Sequence, residues 1–101
     1  MKDKSNLAPE TLQQAENALF QAVVCLQSAE ECRDFFRDLC TPAELQALVD
    51  RWTVVGLLRD GLTYREINAR TGVSVTTIGR VARFLAEGFG GYRTVIERLD
   101  D

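Results

Sequence analysis

The sequence predicts an all-α fold of six helices. Three observations carry this expectation. Apolar residues recur at helical spacing through the middle of the chain. No stretch sustains strand-like alternation, and no Asn-Gly or Asp-Gly hairpin signal occurs. Helix starts and stops are marked by capping residues and glycines. The 101 residues suit one domain, and 46% apolar with 27% charged residues is the composition of a folded chain rather than a disordered one.

The predicted helices span 8–27, 29–39, 42–59, 64–71, 75–87 and 91–99. The first carries Leu12, Ala15, Ala18, Leu19, Phe20, Ala22, Val23, Val24 and Leu26 on more than one side, so it reads as a helix buried on two sides. A chain of this size cannot easily surround such a helix alone, and a homodimer is the expected solution. The second helix opens on Ser28-Ala29-Glu30-Glu31, the third on Thr41-Pro42-Ala43-Glu44 and the fourth on Thr63-Tyr64-Arg65-Glu66. Each reads as a capping box: the hydroxyl accepts from a free backbone N–H and the Glu reaches back to the cap. Pro42 fits the first helical position of the third. In that helix Leu45, Leu48, Val49, Trp52, Val55 and Leu58 form an apolar stripe, in which Trp52 reads as core packing rather than ligand contact. Ser74 caps the fifth helix without a reciprocal Glu. Gly61, Gly72 and the Gly88, Gly90, Gly91 cluster are the stops. By this reading residues 8–60 form the dimerisation and core helices, 63–87 a helix-turn-helix, and 91–99 a C-terminal helix of one domain.

Several functions are disfavoured. No apolar run reaches the ~18–20 residues of a membrane span. The N-terminal MKDKSNLAPE lacks a signal peptide's apolar core, so a cytoplasmic chain without a membrane partner is expected. There is no histidine, and the three cysteines, Cys25, Cys32 and Cys40, form no C-x-x-C pair. They read as reduced packing thiols, with no metal site. The chain also lacks a phosphate-cradling glycine loop and a nucleophile with a visible base, so no enzyme and no catalytic residue is expected.

Charge is polarised. The net charge is −3, yet residues 63–85 carry Arg65, Arg70, Arg80 and Arg83 against Glu66 alone. This segment, TYREINARTGVSVTTIGRVARFL, places Ile67, Val73, Ile78 and Val81 where a helix-turn-helix buries its small core. Gly72 supplies the left-handed turn. Asn68 is the discordant residue, because a small side chain is more usual at the closest helix approach. The first turn of the second helix displays Val75, Thr76 and Thr77, whose hydroxyls and methyls suit a tip entering the major groove of double-stranded DNA. Gly79 reads either as close approach of the backbone to DNA or as close packing on another helix. Arg65 and Arg70 are placed to cross the phosphate backbone, or else to pair with Glu66 or stay solvated. Tyr64 reads as a phosphate contact or as plain surface. Arg65, Asn68, Val75, Thr76, Thr77 and Gly79 are the DNA-binding candidates.

From Cys40 to Leu85 the chain resembles the DNA-binding half of the tryptophan repressor, and more closely its relatives in the TrpR-like YerC/YecD family. The resemblance rests on Thr41-Pro42, Arg51, Leu58-Arg59, Gly61, Arg65-Glu66, Thr77-Ile78 and Arg80 in combination. It implies a six-helix TrpR-like fold, an intertwined homodimer through the N-terminal helices, and helices 64–71 and 75–87 as the DNA-reading head. It also implies a ligand pocket, in which Arg51 and Arg80 correspond to the two arginines that sandwich a tryptophan corepressor and Thr41 to a residue near it. Here Val81 and Phe84 replace smaller residues and crowd that slot; overpacking a snug site costs ~1–3 kcal/mol. The expectation is therefore no cofactor, with tryptophan disfavoured and another small-molecule effector left open. The function expected is a sequence-specific DNA-binding transcriptional regulator, a repressor acting on a two-half-site operator. The alternative is an all-helical protein-interaction module on the same fold without DNA binding, which the pI near 4.9 favours.

Overall fold

A computed structural model describes Asn6 and residues 8–101. Most of the polar N-terminal stretch read above for the lack of a leader lies outside the described residues. The described chain is all-helical, with α1 (Pro9–Val24), α2 (Ala29–Leu39), α3 (Pro42–Arg59), α4 (Tyr64–Thr71), α5 (Val75–Glu87) and α6 (Gly91–Asp100). No helix among them is long and apolar enough to cross a membrane.

One compact unit ends at Cys40 and holds α1 and α2. Pro9 at the first helical position starts α1. The helix ends at Val24 rather than running to residue 27. The Cys25 and Leu26 N–H groups donate to Ala22 and Val23 at 3.1 Å, which tightens the last turn. The Gln27 N–H donates to Glu31 Oε1 at 2.9 Å. The Ser28 box is thus one-sided: Ser28 Oγ accepts from the Glu31 N–H at 3.0 Å, but the Glu31 carboxylate reaches past the cap to Gln27. Neither helix buries a residue within the chain. Leu12, Leu19, Phe20 and Val24 of α1 are exposed, so the two-sided burial expected of this helix is not met by its own chain. The cysteines are free, and Cys25 is exposed rather than packed.

The second compact unit, Thr41–Asp101, contains the core. Here α5 packs on α3 and α4, and α4 on α3. Val54, Val55, Ile67, Val73, Ile78 and Val81 are buried, ringed by Leu57, Leu58, Leu62, Leu85, Tyr92 and Ile96. Burial of each such aliphatic side chain is worth ~1.5–3 kcal/mol. The four core residues expected of the helix-turn-helix are all present. The stripe expected on α3 is corrected: Val54 is buried although it lies off that stripe, whereas Leu48, Val49 and Trp52 are exposed. The inward face of α3 therefore lies at its C-terminal end.

Local chemistry sets the joints of this unit. Thr41 and Thr63 form complete capping boxes with Glu44 and Glu66. A Schellman turn closes α3: Gly61 takes φ 86°, its N–H donates to Leu58 and the Leu62 N–H donates to Leu57. The last helix runs one residue beyond expectation, to Asp100, whose Oδ2 pairs with Arg59 Nη2 at 2.8 Å.

The Thr63 box has a pH consequence. The Glu66 carboxyl lies below the usual carboxylate range, chiefly because it accepts the Thr63 backbone N–H at 2.8 Å, then through the Thr63 hydroxyl and the Arg70 charge. A carboxyl lowered in the folded state contributes stability above its ordinary value. That contribution is lost as pH falls through the lowered value. Denaturant unfolding followed across the acid range should show this loss in the wild type and a flatter profile in Glu66→Gln.

Candidate functional site

The turn between α4 and α5 is built from its own side chains. Gly72 takes φ 75°, a conformation that favours glycine, and its N–H donates to Asn68 O at 2.8 Å. The Thr71 hydroxyl donates to Ile67 O at 2.7 Å and accepts from the Val73 N–H at 3.0 Å. The discordant Asn68 has its explanation here. Its side-chain amide donates to Val73 O at 2.9 Å and ties the end of α4 to the turn. Asn68 is thus a structural brace of the head, with one amide N–H and its carbonyl oxygen left for an outside partner. Thr71, which the spacing of the sequence did not single out, is the second brace.

The tip of α5 is similarly ordered. Ser74 Oγ accepts the Thr77 N–H at 3.1 Å and its hydroxyl donates to Thr77 Oγ1 at 3.0 Å. Thr77 is half-buried, its oxygen oriented by the cap and its proton left to donate. Val75 and Thr76 stand exposed beside it. Arg65 and Arg70 are exposed on α4. Neither forms an ion pair among the described residues, where the Arg59–Asp100 contact is the one pair. The Glu66 carboxylate is engaged in the cap, so the pairing alternative for Arg65 is not realised.

Gly79 faces the Tyr64 ring. A methyl group added there would meet Tyr64 Cε2 at 3.8 Å, an ordinary van der Waals distance. Packing within the chain therefore does not require glycine at this position.

Four of the five pocket candidates converge. Arg51, Arg80, Val81 and Phe84 line one cleft of about 290 Å³, joined by Tyr92 of α6. Val81 is buried beneath it. Phe84 stands as a wall, about two-fifths exposed, and does not fill the cleft as its size suggested. The Arg80 guanidinium lies over the Phe84 ring, 5.9 Å from its centroid, just within the ~6 Å reach of a cation–π contact. Arg80 thus has an aromatic partner from its own helix. Thr41 is not among the walls; its N–H and hydroxyl are engaged with Glu44 at 2.8 and 3.1 Å. Tyr92 was not legible as a site residue, since it arrives from the far side of the glycine cluster. It also touches Trp52, with ring centroids 6.2 Å apart. Trp52 is 41% exposed, which corrects its reading as a core residue.

A buried helix-turn-helix core under a basic, capped surface defines the class: an all-helical helix-turn-helix unit of the Trp repressor type. The comparisons agree. The family model described as Trp repressor protein matches residues 14–100. The Bacillus subtilis (strain 168) protein YerC, itself uncharacterised, is 42% identical over 83 residues, which cover 82% of this chain and 80% of that protein. A crystal structure of a TrpR-like protein from Eubacterium eligens ATCC 27750 superposes with a TM-score of 0.81 at 45% identity, covering 86% of this chain and 90% of the other. A Staphylococcus aureus protein described as a candidate Trp repressor gives a TM-score of 0.81 at 38% identity, covering 94% and 96%. The chain belongs to the Trp repressor family.

Proposed function

We propose that the chain is a sequence-specific DNA-binding transcriptional regulator, a cytoplasmic repressor that binds a two-half-site operator as an intertwined homodimer. The observation that carries this reading is the basic head. Arg65 and Arg70 on α4 and Arg80 and Arg83 on α5 lie on the two helices that the Gly72 turn joins, and none forms an ion pair among the described residues. Unpaired arginines beside a capped helix tip favour a polyanion. On this reading Arg65 contacts phosphate and sets register. Val75, Thr76 and Thr77 meet base edges, with Thr77 pre-oriented by Ser74. Gly79 lets the backbone come close, a role supported by the absence of any packing demand for glycine there. Membership of a regulator family supports a regulator over an enzyme.

The dimer is supported by what the chain leaves uncovered. Phe20, Val24, Leu39, Leu48, Val49 and Trp52 are all exposed large apolar residues of α1 to α3. On this reading α1 to α3 dimerise, α4 and α5 read DNA, and α6 completes the C-terminal end. The second reading, a protein-interaction module without DNA binding, draws on the net charge of −3. Light scattering at micromolar concentration should give about twice the chain mass of 11.3 kDa, and a clean monomer overturns the two-half-site mode.

The experiment that tests the function is titration of labelled duplexes, selected from a random pool and unselected, at several salt concentrations. Arg65→Ala should weaken binding to all sequences and lower the salt slope by about one per protomer. Thr77→Ala should mainly relax base preference. The absence of binding to any duplex overturns the reading in favour of the interaction module.

For the cleft, we propose that no tryptophan is needed or usefully bound. Arg80 is already partnered by Phe84, and Val81 occupies the floor. Calorimetric titration of the wild type with tryptophan should show no micromolar binding. Val81→Gly combined with Phe84→Ser should open the slot, at a cost of ~1 kcal/mol for the interior glycine. Micromolar binding by the wild type, with DNA affinity rising in step, restores a corepressor mechanism.

A further inference from the structure

We propose that the Phe89 ring is the built-in occupant of the cleft walled by Arg51, Arg80, Phe84 and Tyr92, a tethered plug that closes it without a small molecule. The proposal rests on the reading that no tryptophan is needed there, and it supplies a cause beyond Val81 and Phe84. Phe89 is 100% exposed, the one large apolar side chain wholly in solvent among the described residues. A ring so placed gains free energy from any apolar shelter within its reach. Its position in the chain puts one shelter close by. Phe89 follows Phe84 by five residues and precedes Tyr92 by three, so two aromatic walls of the cleft flank it.

The connection is built to turn. α5 ends at Glu87 and α6 begins at Gly91, which leaves Gly88, Phe89 and Gly90 between them. A Cβ at Gly88 would strike the Phe84 carbonyl oxygen, and Gly90 takes φ 84°. Both positions therefore demand glycine as the loop stands. Glycine also adopts either sign of φ readily, so rotation at these two residues carries the ring round while both helices stay in place. The cleft suits such a guest. Its volume of about 290 Å³ exceeds the ~150 Å³ of an apolar cavity that holds benzene. Phe84 and Tyr92 present rings for offset or edge contact, and Arg51 and Arg80 present planar guanidinium groups that stack on aromatic faces. Arg80 already lies over one such face, that of Phe84. Seated there, Phe89 joins α3, α5 and α6 in the manner of a planar ligand.

The test is NMR of the ligand-free chain, labelled at its valine methyls and phenylalanine rings. Val81 forms the floor of the cleft, so nuclear Overhauser contacts should join its methyls to the Phe89 ring. The Val81 methyl resonances should shift in Phe89→Leu, which loses the ring current. They should stay near their wild-type positions in Phe89→Tyr, which keeps the ring. No contact between Phe89 and Val81, with Val81 unmoved in Phe89→Leu, overturns the plug. Contacts of the Phe89 ring found only between differently labelled chains assign it to a second copy and overturn the plug as well. Micromolar tryptophan binding by the wild type overturns the cleft reading, whereas the ring contacts, read without ligand, decide the plug on their own.

Discussion

The Gly72 turn is the constraint on which the rest of the head depends. Its left-handed backbone brings the end of α4 back over the start of α5, and Ile67, Val73, Ile78 and Val81 meet beneath it. Asn68 and Thr71 hold the turn through side-chain hydrogen bonds to its backbone. Val54 and Val55 supply the platform from α3. A core this small has little tolerance for a void, because interiors are close-packed and each missing methylene is felt. The tip of α5 inherits its position from these few contacts. A head so braced suits recognition by preset geometry, in which little ordering remains to be done on binding.

Caps and charge are coupled in this head. Glu66 is the one carboxylate of residues 63–85, and the Thr63 box holds it at the start of α4. The same interaction that begins the helix therefore removes the nearest competitor for the arginines. Arg70, one turn along, still lowers the Glu66 carboxyl, so that charge remains felt across the helix surface. The result is a basic surface on an acidic chain.

Much of this was legible in the sequence because its signals are local. The bounds of α2, α3, α4 and α5 follow from Ser28, Thr41-Pro42, Thr63, Gly72 and Ser74, which act within one turn of themselves. The first helix overshot because Leu26 continues its apolar pattern, whereas Glu31 of the next helix takes the Gln27 N–H. The α3 stripe misled for another reason. Periodicity marks residues that share a face but not whether their own chain covers it, so Trp52 and Val49 stayed exposed while Val54 was buried. At the site, the convergence of Arg51 with Arg80 came from resemblance and was met by the geometry. Tyr92 was missed because it joins the cleft across a long separation in sequence, with nothing local to mark it. The bracing role of Asn68 was not foreseen and Thr71 was overlooked because their partners are backbone carbonyls and N–H groups, which a residue pattern does not display.

The contact between Trp52 and Tyr92 has a practical consequence. Trp52 is the only indole in the chain, and it stands half exposed on α3 against a ring that also walls the cleft between Arg51 and Arg80. A native fluorophore therefore sits one aromatic ring away from that cleft and on the outer face of a helix left uncovered. Displacement of Tyr92, or coverage of α3, alters the polarity around the indole and hence the colour and yield of its emission. The molecule carries its own optical reporter, readable without a label.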